Sequence, residues 1–145
     1  MKTSMVLALA LMAITGVAQA QNTPEGVWRT VDDQTGQPKA EVRIVKKNDQ
    51  LSGSVLRSLK EPPPAPRRCT LCTDDRKDQP IIGMEIIRGG KASSDSPWYE
   101  GGQILDPDNG KTYRLKLRVS DDGKSLLVRG FIGPFYRTQV WQRAP

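Results

Sequence analysis

Cys69 and Cys72 form the sharpest chemical motif of the chain, a Cys-x-x-Cys pair. Such a pair serves as a redox-active dithiol, as part of a metal site, or as a structural disulfide. A redox-active thiol is commonly activated at a helix N-terminus, whereas this pair lies between a proline-rich stretch and the acidic residues 74–78. We therefore predict a structural disulfide that pins a local loop, with thiol-redox chemistry as an alternative.

The chain has no histidine, and this absence excludes several mechanisms. Ser-His-Asp and Cys-His nucleophiles need an imidazole base, so hydrolysis of that kind is excluded. A zinc site on the two thiolates would have to recruit carboxylates such as Asp74, Asp75 and Asp78. Thr73 stands where attachment of a c-type haem requires histidine. We predict no catalytic residue, no metal and no cofactor.

Three aromatic residues are the candidates for contacting a ligand: Trp98, Tyr99 and Tyr113. Aromatic side chains provide rigid contact area at low entropic cost, so these three are candidates for lining a binding mouth, although plain core packing is the more common role of aromatic residues at inward strand positions. Residues 131–136 are also rich in aromatic and apolar side chains. We expect this cluster to pack against the end of the fold; if exposed, it would form an apolar tip for a partner or a membrane surface.

The elements that must position these residues are short strands. Residues 112–119 alternate without fault, with Tyr113, Leu115, Leu117 and Val119 on one face. Together with this segment, the pattern of apolar runs and turns predicts about eight antiparallel strands, the others at residues 26–31, 40–45, 51–56, 81–87, 98–105, 126–131 and 137–143. Residues 58–80 contain the prolines and the cysteine pair, and we predict a long loop there.

Closing the eight strands into one up-and-down barrel would remove the exposed edges of the sheet. The inward positions are apolar, which suits a small apolar guest or a filled core: Val42, Ile44, Leu115, Leu117, Leu126 and Val128. The first and last strands are neighbours in such a barrel. We therefore expect Arg143 to lie over the indole of Trp28, beside Gly26, and to close one end.

The first twenty residues have the pattern of a secretory signal peptide: a positive start, a short apolar run, and small residues at Ala18 and Ala20. We predict a signal peptide at residues 1–20 and one domain at residues 21–145, located in the periplasm or secreted. No later stretch is apolar enough for a transmembrane anchor. Cleavage would remove Lys2 and lower the net charge from +6 by one, an excess too modest and too dispersed to predict nucleic-acid binding.

The opening Gly26-x-Trp28 resembles the first motif of lipocalins and the wider calycin group. The series Gly26-Val-Trp28, Cys69-Thr-Leu-Cys72, residues 101–113 and residues 138–143 resembles a family of small exported bacterial proteins of unknown function. The resemblance implies a lipocalin-like barrel and adds almost nothing about activity.

The sequence thus predicts an exported, non-catalytic binding protein that holds a small apolar or amphipathic ligand in its barrel. The alternative is an interaction or structural module of the cell envelope, with a filled core. The oligomeric state is left open.

Overall fold

The structure, a computed structural model, describes residues 22–63 and 65–145, and these residues form nine β-strands. The predicted signal peptide at residues 1–20 lies outside the described residues. The strands are β1 Gly26–Val31, β2 Pro38–Lys47, β3 Gln50–Ser58, β4 Glu85–Arg88, β5 Lys91–Ala92, β6 Tyr99–Asp106, β7 Lys111–Val119, β8 Ser125–Ile132 and β9 Phe135–Arg143. Among the described residues, none of the elements is an apolar helix of membrane-spanning length.

Eight of the strands close into one antiparallel barrel, in the order β1-β2-β3-β4-β6-β7-β8-β9 and back to β1. The predicted all-β, up-and-down barrel is therefore confirmed. The two weakest joints are β1 to β9, where Trp28 pairs with Arg143, and β4 to β6, where Ile87 pairs with Ile104. The two-residue strand β5, which the sequence did not indicate, continues along β6 after β4.

The prediction of a strand over residues 81–87 was wrong in its first half. Only Glu85–Arg88 is a strand, and the preceding residues turn. Gly83 has φ of +87°, and its amide donates to the carbonyl of Val55, while the Met84 carbonyl accepts from the Val55 amide. These bonds hold the turn against β3, so the apolar Ile81 and Met84 pack on the core without extended backbone.

One glycine is needed for the sheet to close between β3 and β4. A Cβ at Gly53 would lie 2.9 Å from the Cβ of Ile87. The pairing register shifts between Gly53 and Ser54, so the two strands approach closely at an irregularity of the kind that a glycine in a strand accommodates.

The interior of the barrel is filled by large apolar side chains. Trp28, Leu117 and Leu126 are 0 % exposed. The other inward residues around them are also buried: Val42, Ile44, Leu115, Val128 and Trp141. Because a void large enough for water would expose its lining, these side chains surround no ligand-sized space.

Candidate functional site

One end of the barrel is closed by Arg143. Its guanidinium carbon lies 4.1 Å from the centroid of the Trp28 ring. The same group donates hydrogen bonds to three backbone carbonyls, from Nε to Gly123 at 2.7 Å, from Nη1 to Glu25 at 3.2 Å and from Nη2 to Thr23 at 3.1 Å. Burial lowers the pKa of the Arg143 guanidinium. These bonds tie the β7–β8 turn and the N-terminal segment to the last strand.

Gly26 leaves room for this arrangement. Its φ is +131°, a conformation that L side chains rarely adopt, and a Cβ there would lie 2.9 Å from Nη1 of Arg143. The Trp28 indole is fixed from the same side, because its Nε1 donates to the carbonyl of Pro24 at 2.8 Å. The sequence-predicted trio of Gly26, Trp28 and Arg143 thus lies together at the end of the barrel.

Two of the three aromatic candidates line one cleft. Trp98 and Tyr99 stand at the start of β6, next to the turn that follows β7. The cleft has a volume of about 290 Å³ and is completed by Asn22, Ala92, Ser96, Pro97, Val119, Ser120 and Asp121. Tyr99 pairs with the inward Leu117 and packs on the core, so the cleft lies at the rim of the barrel.

The indole of Trp98 is surrounded by cations on the outer face of the sheet. The guanidinium carbon of Arg129 lies 4.4 Å from the ring centroid, that of Arg118 lies 5.6 Å away, and Nζ of Lys116 lies 5.9 Å away. Lys116 also pairs with Glu100 at 2.7 Å. These contacts restrict the rotation of the ring, so Trp98 offers the cleft a fixed wall.

Tyr113 lies at the other end of the barrel. Its strand partner is Ile104, near the far end of β6, and its hydroxyl accepts a hydrogen bond from Nδ2 of Asn109 at 3.0 Å. The three candidates therefore do not lie together: Trp98 and Tyr99 stand at one end of β6, and Tyr113 pairs near the other. Apart from Ser96 and Pro97, which directly precede Trp98, the residues of the cleft that sequence reasoning missed come from the N-terminal segment, β5 and the end of β7 with its following turn, and they carry no local signal.

The cysteines form a disulfide within the long loop, with an S–S distance of 1.98 Å. Both are buried, and Sγ of Cys69 lies 3.7 Å from the carbonyl oxygen of Pro107. The loop packs against the β6–β7 turn so closely that a Cβ on Gly110 would lie 2.0 Å from the carbonyl oxygen of Leu71. It therefore borders the end that holds Tyr113, away from the Trp98 cleft. Burial of the sulfurs favours a structural role.

One ion pair and one hydrogen bond attach this loop to β4. Asp74 receives hydrogen bonds from the buried Arg76, whose Nη1 also donates to the carbonyl of Glu85 at 3.0 Å. The side chain and the backbone amide of Arg76 lower the pKa of Asp74 to about 2. Arg88 donates two hydrogen bonds of 2.8 Å to the carboxylate of Asp75, one from Nη1 and one from Nη2. Both carboxylates thus bind arginines, and the described residues form no cluster of three or more metal-ligating acids or cysteines.

A second depression of about 290 Å³ lies beside the same loop. Its walls include Arg76, Asp75 and Glu85, whose charges are already satisfied within the loop and β4. The Trp98 cleft instead offers two aromatic walls together with free space, and we take it as the candidate site.

The β8–β9 hairpin corrects one expectation. We define the hairpin tip as Phe131, Ile132, Phe135 and Tyr136. Phe135 is 78 % exposed, Ile132 62 % and Tyr136 56 %. The prediction that this cluster packs against the end of the barrel was wrong, because the pairing of β8 with β7 ends at Phe131, whereas β8 and β9 stay paired through Ile132 and Phe135 to a turn at Gly133 and Pro134.

The comparisons with known proteins agree with this architecture. Among solved structures, the chain is similar to protein HP1028 of Helicobacter pylori, which is described as belonging to the lipocalin family. The match has 15 % identity and a TM-score of 0.71, and it covers 83 % of this chain and 82 % of that chain, so it shows a shared fold. No curated protein matches the chain at a significant level. The model of a bacterial family described as uncharacterised, DUF2147, matches residues 26–143, which span every strand of the barrel, and the chain belongs to this family.

Proposed function

We propose that the protein is an exported, non-catalytic carrier or sensor that binds a small amphipathic ligand in the cleft between Trp98 and Tyr99. The observation that carries this proposal is the cleft itself, a space of about 290 Å³ with two aromatic walls beside a filled barrel. Its volume of about 290 Å³ lies just below the roughly 300–1,000 Å³ range of small-molecule sites, which suits a small ligand. The site is thus displaced from the barrel interior to its rim.

The lining indicates the chemistry of the ligand. Trp98, Tyr99 and Val119 provide apolar surface. The exposed carboxylate of Asp121 lies on the same wall and can accept hydrogen bonds. A ligand with an apolar ring or short chain and a hydroxyl or amine donor would use both parts.

Export is supported by the N-terminal sequence pattern and by the Cys69–Cys72 disulfide, because disulfides persist mainly in oxidising compartments. The absence of catalysis is supported by the lack of histidine and by burial of the two sulfurs. A lipocalin-like fold in a family without assigned activity is consistent with both points.

A second candidate function is an interaction module of the envelope that holds no small ligand. The filled interior favours this alternative, because the inward side chains leave no ligand-sized space around them.

Binding of the apolar fluorescent probe N-phenylnaphthylamine tests the first proposal. We expect saturable binding at one site, weakened at least about tenfold by Ala92→Trp, which fills the cleft, and by Trp98→Ala, which removes one wall. Tyr113→Ala is the matched control, since it removes an aromatic side chain outside the cleft. A larger loss for Tyr113→Ala would place the site in the other end of the barrel. A complete lack of saturable binding would favour the interaction module.

A further inference from the structure

The hairpin tip presents apolar side chains to solvent at a convex turn. Phe135 and Ile132 face each other as strand partners, and Tyr136 pairs with Phe131 in the next register position. The rings of Phe131 and Tyr136 are 5.2 Å apart. A monomeric soluble protein seldom exposes several large apolar side chains side by side unless they meet another surface.

Arginines surround this tip. The guanidinium carbon of Arg114 lies 5.4 Å from the Phe131 centroid, and that of Arg129 lies 4.8 Å from the Tyr136 centroid. Among the described residues, neither Arg114 nor Arg129 takes part in an ion pair. Arg114 is oriented by the Phe131 ring and by a hydrogen bond to the carbonyl of Gly133. Arg129 lies between the rings of Tyr136 and Trp98 and donates one hydrogen bond to the hydroxyl of Thr138. The remaining donors of both guanidinium groups point to a binding partner rich in anionic oxygens.

The shape and charge of the surface select the class of partner. A stable protein interface uses roughly 20–30 residues a side, whereas the tip is a narrow protrusion with four apolar side chains. A second copy of this chain would bring the same arginines together, and the chain is basic overall, with a net charge of +6. A phospholipid bilayer accepts a convex apolar tip between its headgroups, and anionic headgroups supply phosphates for the arginines.

We propose that the hairpin tip docks the protein on an anionic phospholipid surface, with Phe135 and Ile132 entering the headgroup region and Arg114 and Arg129 binding lipid phosphates. This inference does not depend on a ligand in the Trp98 cleft, because no residue of the hairpin tip lines that cleft, although Arg129 also contacts the Trp98 ring at 4.4 Å.

Co-sedimentation of the full chain with vesicles tests the proposal. We expect binding to vesicles of equal parts phosphatidylglycerol and phosphatidylcholine, at least about tenfold weaker binding to pure phosphatidylcholine, and a marked loss in high salt. Phe135→Ser and Arg114→Gln should each reduce binding to the anionic vesicles severalfold or more. Ile82→Ser and Arg43→Gln are the matched controls, since both side chains are exposed outside the tip, and they should leave binding nearly unchanged.

Four results would overturn the proposal. They are a lack of vesicle binding, equal binding to neutral and anionic vesicles, an equal loss for Arg43→Gln and Arg114→Gln, and a dimer in sedimentation velocity that Phe135→Ser dissociates. The last result would assign the tip to a second copy of the chain. Phe135 is mostly exposed, so its substitution leaves the core intact, and a loss of vesicle binding by Phe135→Ser is not a consequence of unfolding.

Discussion

Arg143 and Trp28 are strand partners, and the guanidinium carbon of Arg143 lies 4.1 Å from the centroid of the Trp28 ring. This contact lies at one of the two weakest joints of the barrel, where β1 meets β9 through only two residue pairs. Arg143 also donates hydrogen bonds to the carbonyls of Gly123 and Glu25. One side chain therefore connects the β1–β9 joint, the β7–β8 turn and the N-terminal segment.

Arg143→Lys is expected to destabilise the protein by about 2 kcal/mol, since lysine keeps the charge but loses the planar stack and the forked donors. Urea unfolding measures this difference. Arg43→Lys, on the exposed face of β2, is the control and should change stability by less than about 0.5 kcal/mol. Equal effects of the two substitutions would show that Arg143 does not close the barrel.

Gly26→Ala should destabilise the protein more than Gly36→Ala does. Both glycines have positive φ, but a Cβ on Gly26 would lie 2.9 Å from Arg143 whereas a Cβ on Gly36 would meet nothing within 4 Å. The expected loss is about 1 kcal/mol for backbone strain at Gly36 and clearly more at Gly26. Thermal melts of the two variants make the comparison. Similar melting temperatures would mean that the Arg143 side chain moves away from the added methyl group without loss of stability.

The strands that the sequence predicted best are those whose periodicity is complete. Thr112 to Val119 alternates over eight residues, and β7 follows it with one residue added at the start. Residues 81–87 have no such alternation, and their apolar run is shared between a turn and β4. The turn depends on two hydrogen bonds with Val55 of β3, one donated by the Gly83 amide and one accepted by the Met84 carbonyl, and local pattern does not encode such contacts between distant segments.

The candidate site was predicted only in part for the same reason. Trp98 and Tyr99 are adjacent in sequence, so their shared location follows from one strand. Tyr113 was grouped with them by residue type, yet the antiparallel register places it beside Ile104 and not beside Tyr99. The remaining walls come from three separate segments, and only the closed barrel brings them together.

Reducing the Cys69–Cys72 disulfide should loosen the loop without unfolding the barrel. The closed ring is short, so the entropic model gives a global contribution of only about 2 kcal/mol. Hydrogen exchange should quicken at the amides of Cys69 and Asp78, which bond within the loop, while amides of β7 keep their protection. Loss of protection throughout the barrel on reduction would contradict a purely local role. A Cys72→Ser variant should reproduce the effect without reductant.

Asp74 makes the loop sensitive to acid. Its pKa is about 2, below the ordinary value of 3.8, so the folded state favours the ionised carboxylate. The stabilisation is therefore present at neutral pH and is lost as pH falls from about 4 toward 2. Asp74→Asn should be less stable than the wild type at pH 7, and the gap should shrink through this window in urea unfolding.

Asp49→Asn, at an exposed turn, is the control for this experiment. A gap between wild type and Asp74→Asn that stays constant with pH would show that the Asp74 carboxylate gives no pH-dependent stability. A matching pH-dependent gap for Asp49→Asn would show a general charge effect.

The most direct test of the account is an amide NMR titration of isotope-labelled protein, purified without refolding, with N-phenylnaphthylamine. If a ligand site lies in the rim cleft of a filled barrel, the saturable shifts cluster at Trp98, Tyr99, Val119 and Ser120, and the indole of Trp28 stays unchanged. Saturable shifts centred instead on the inward Leu117, Trp141 and Tyr113 would place the ligand inside the barrel and contradict the account.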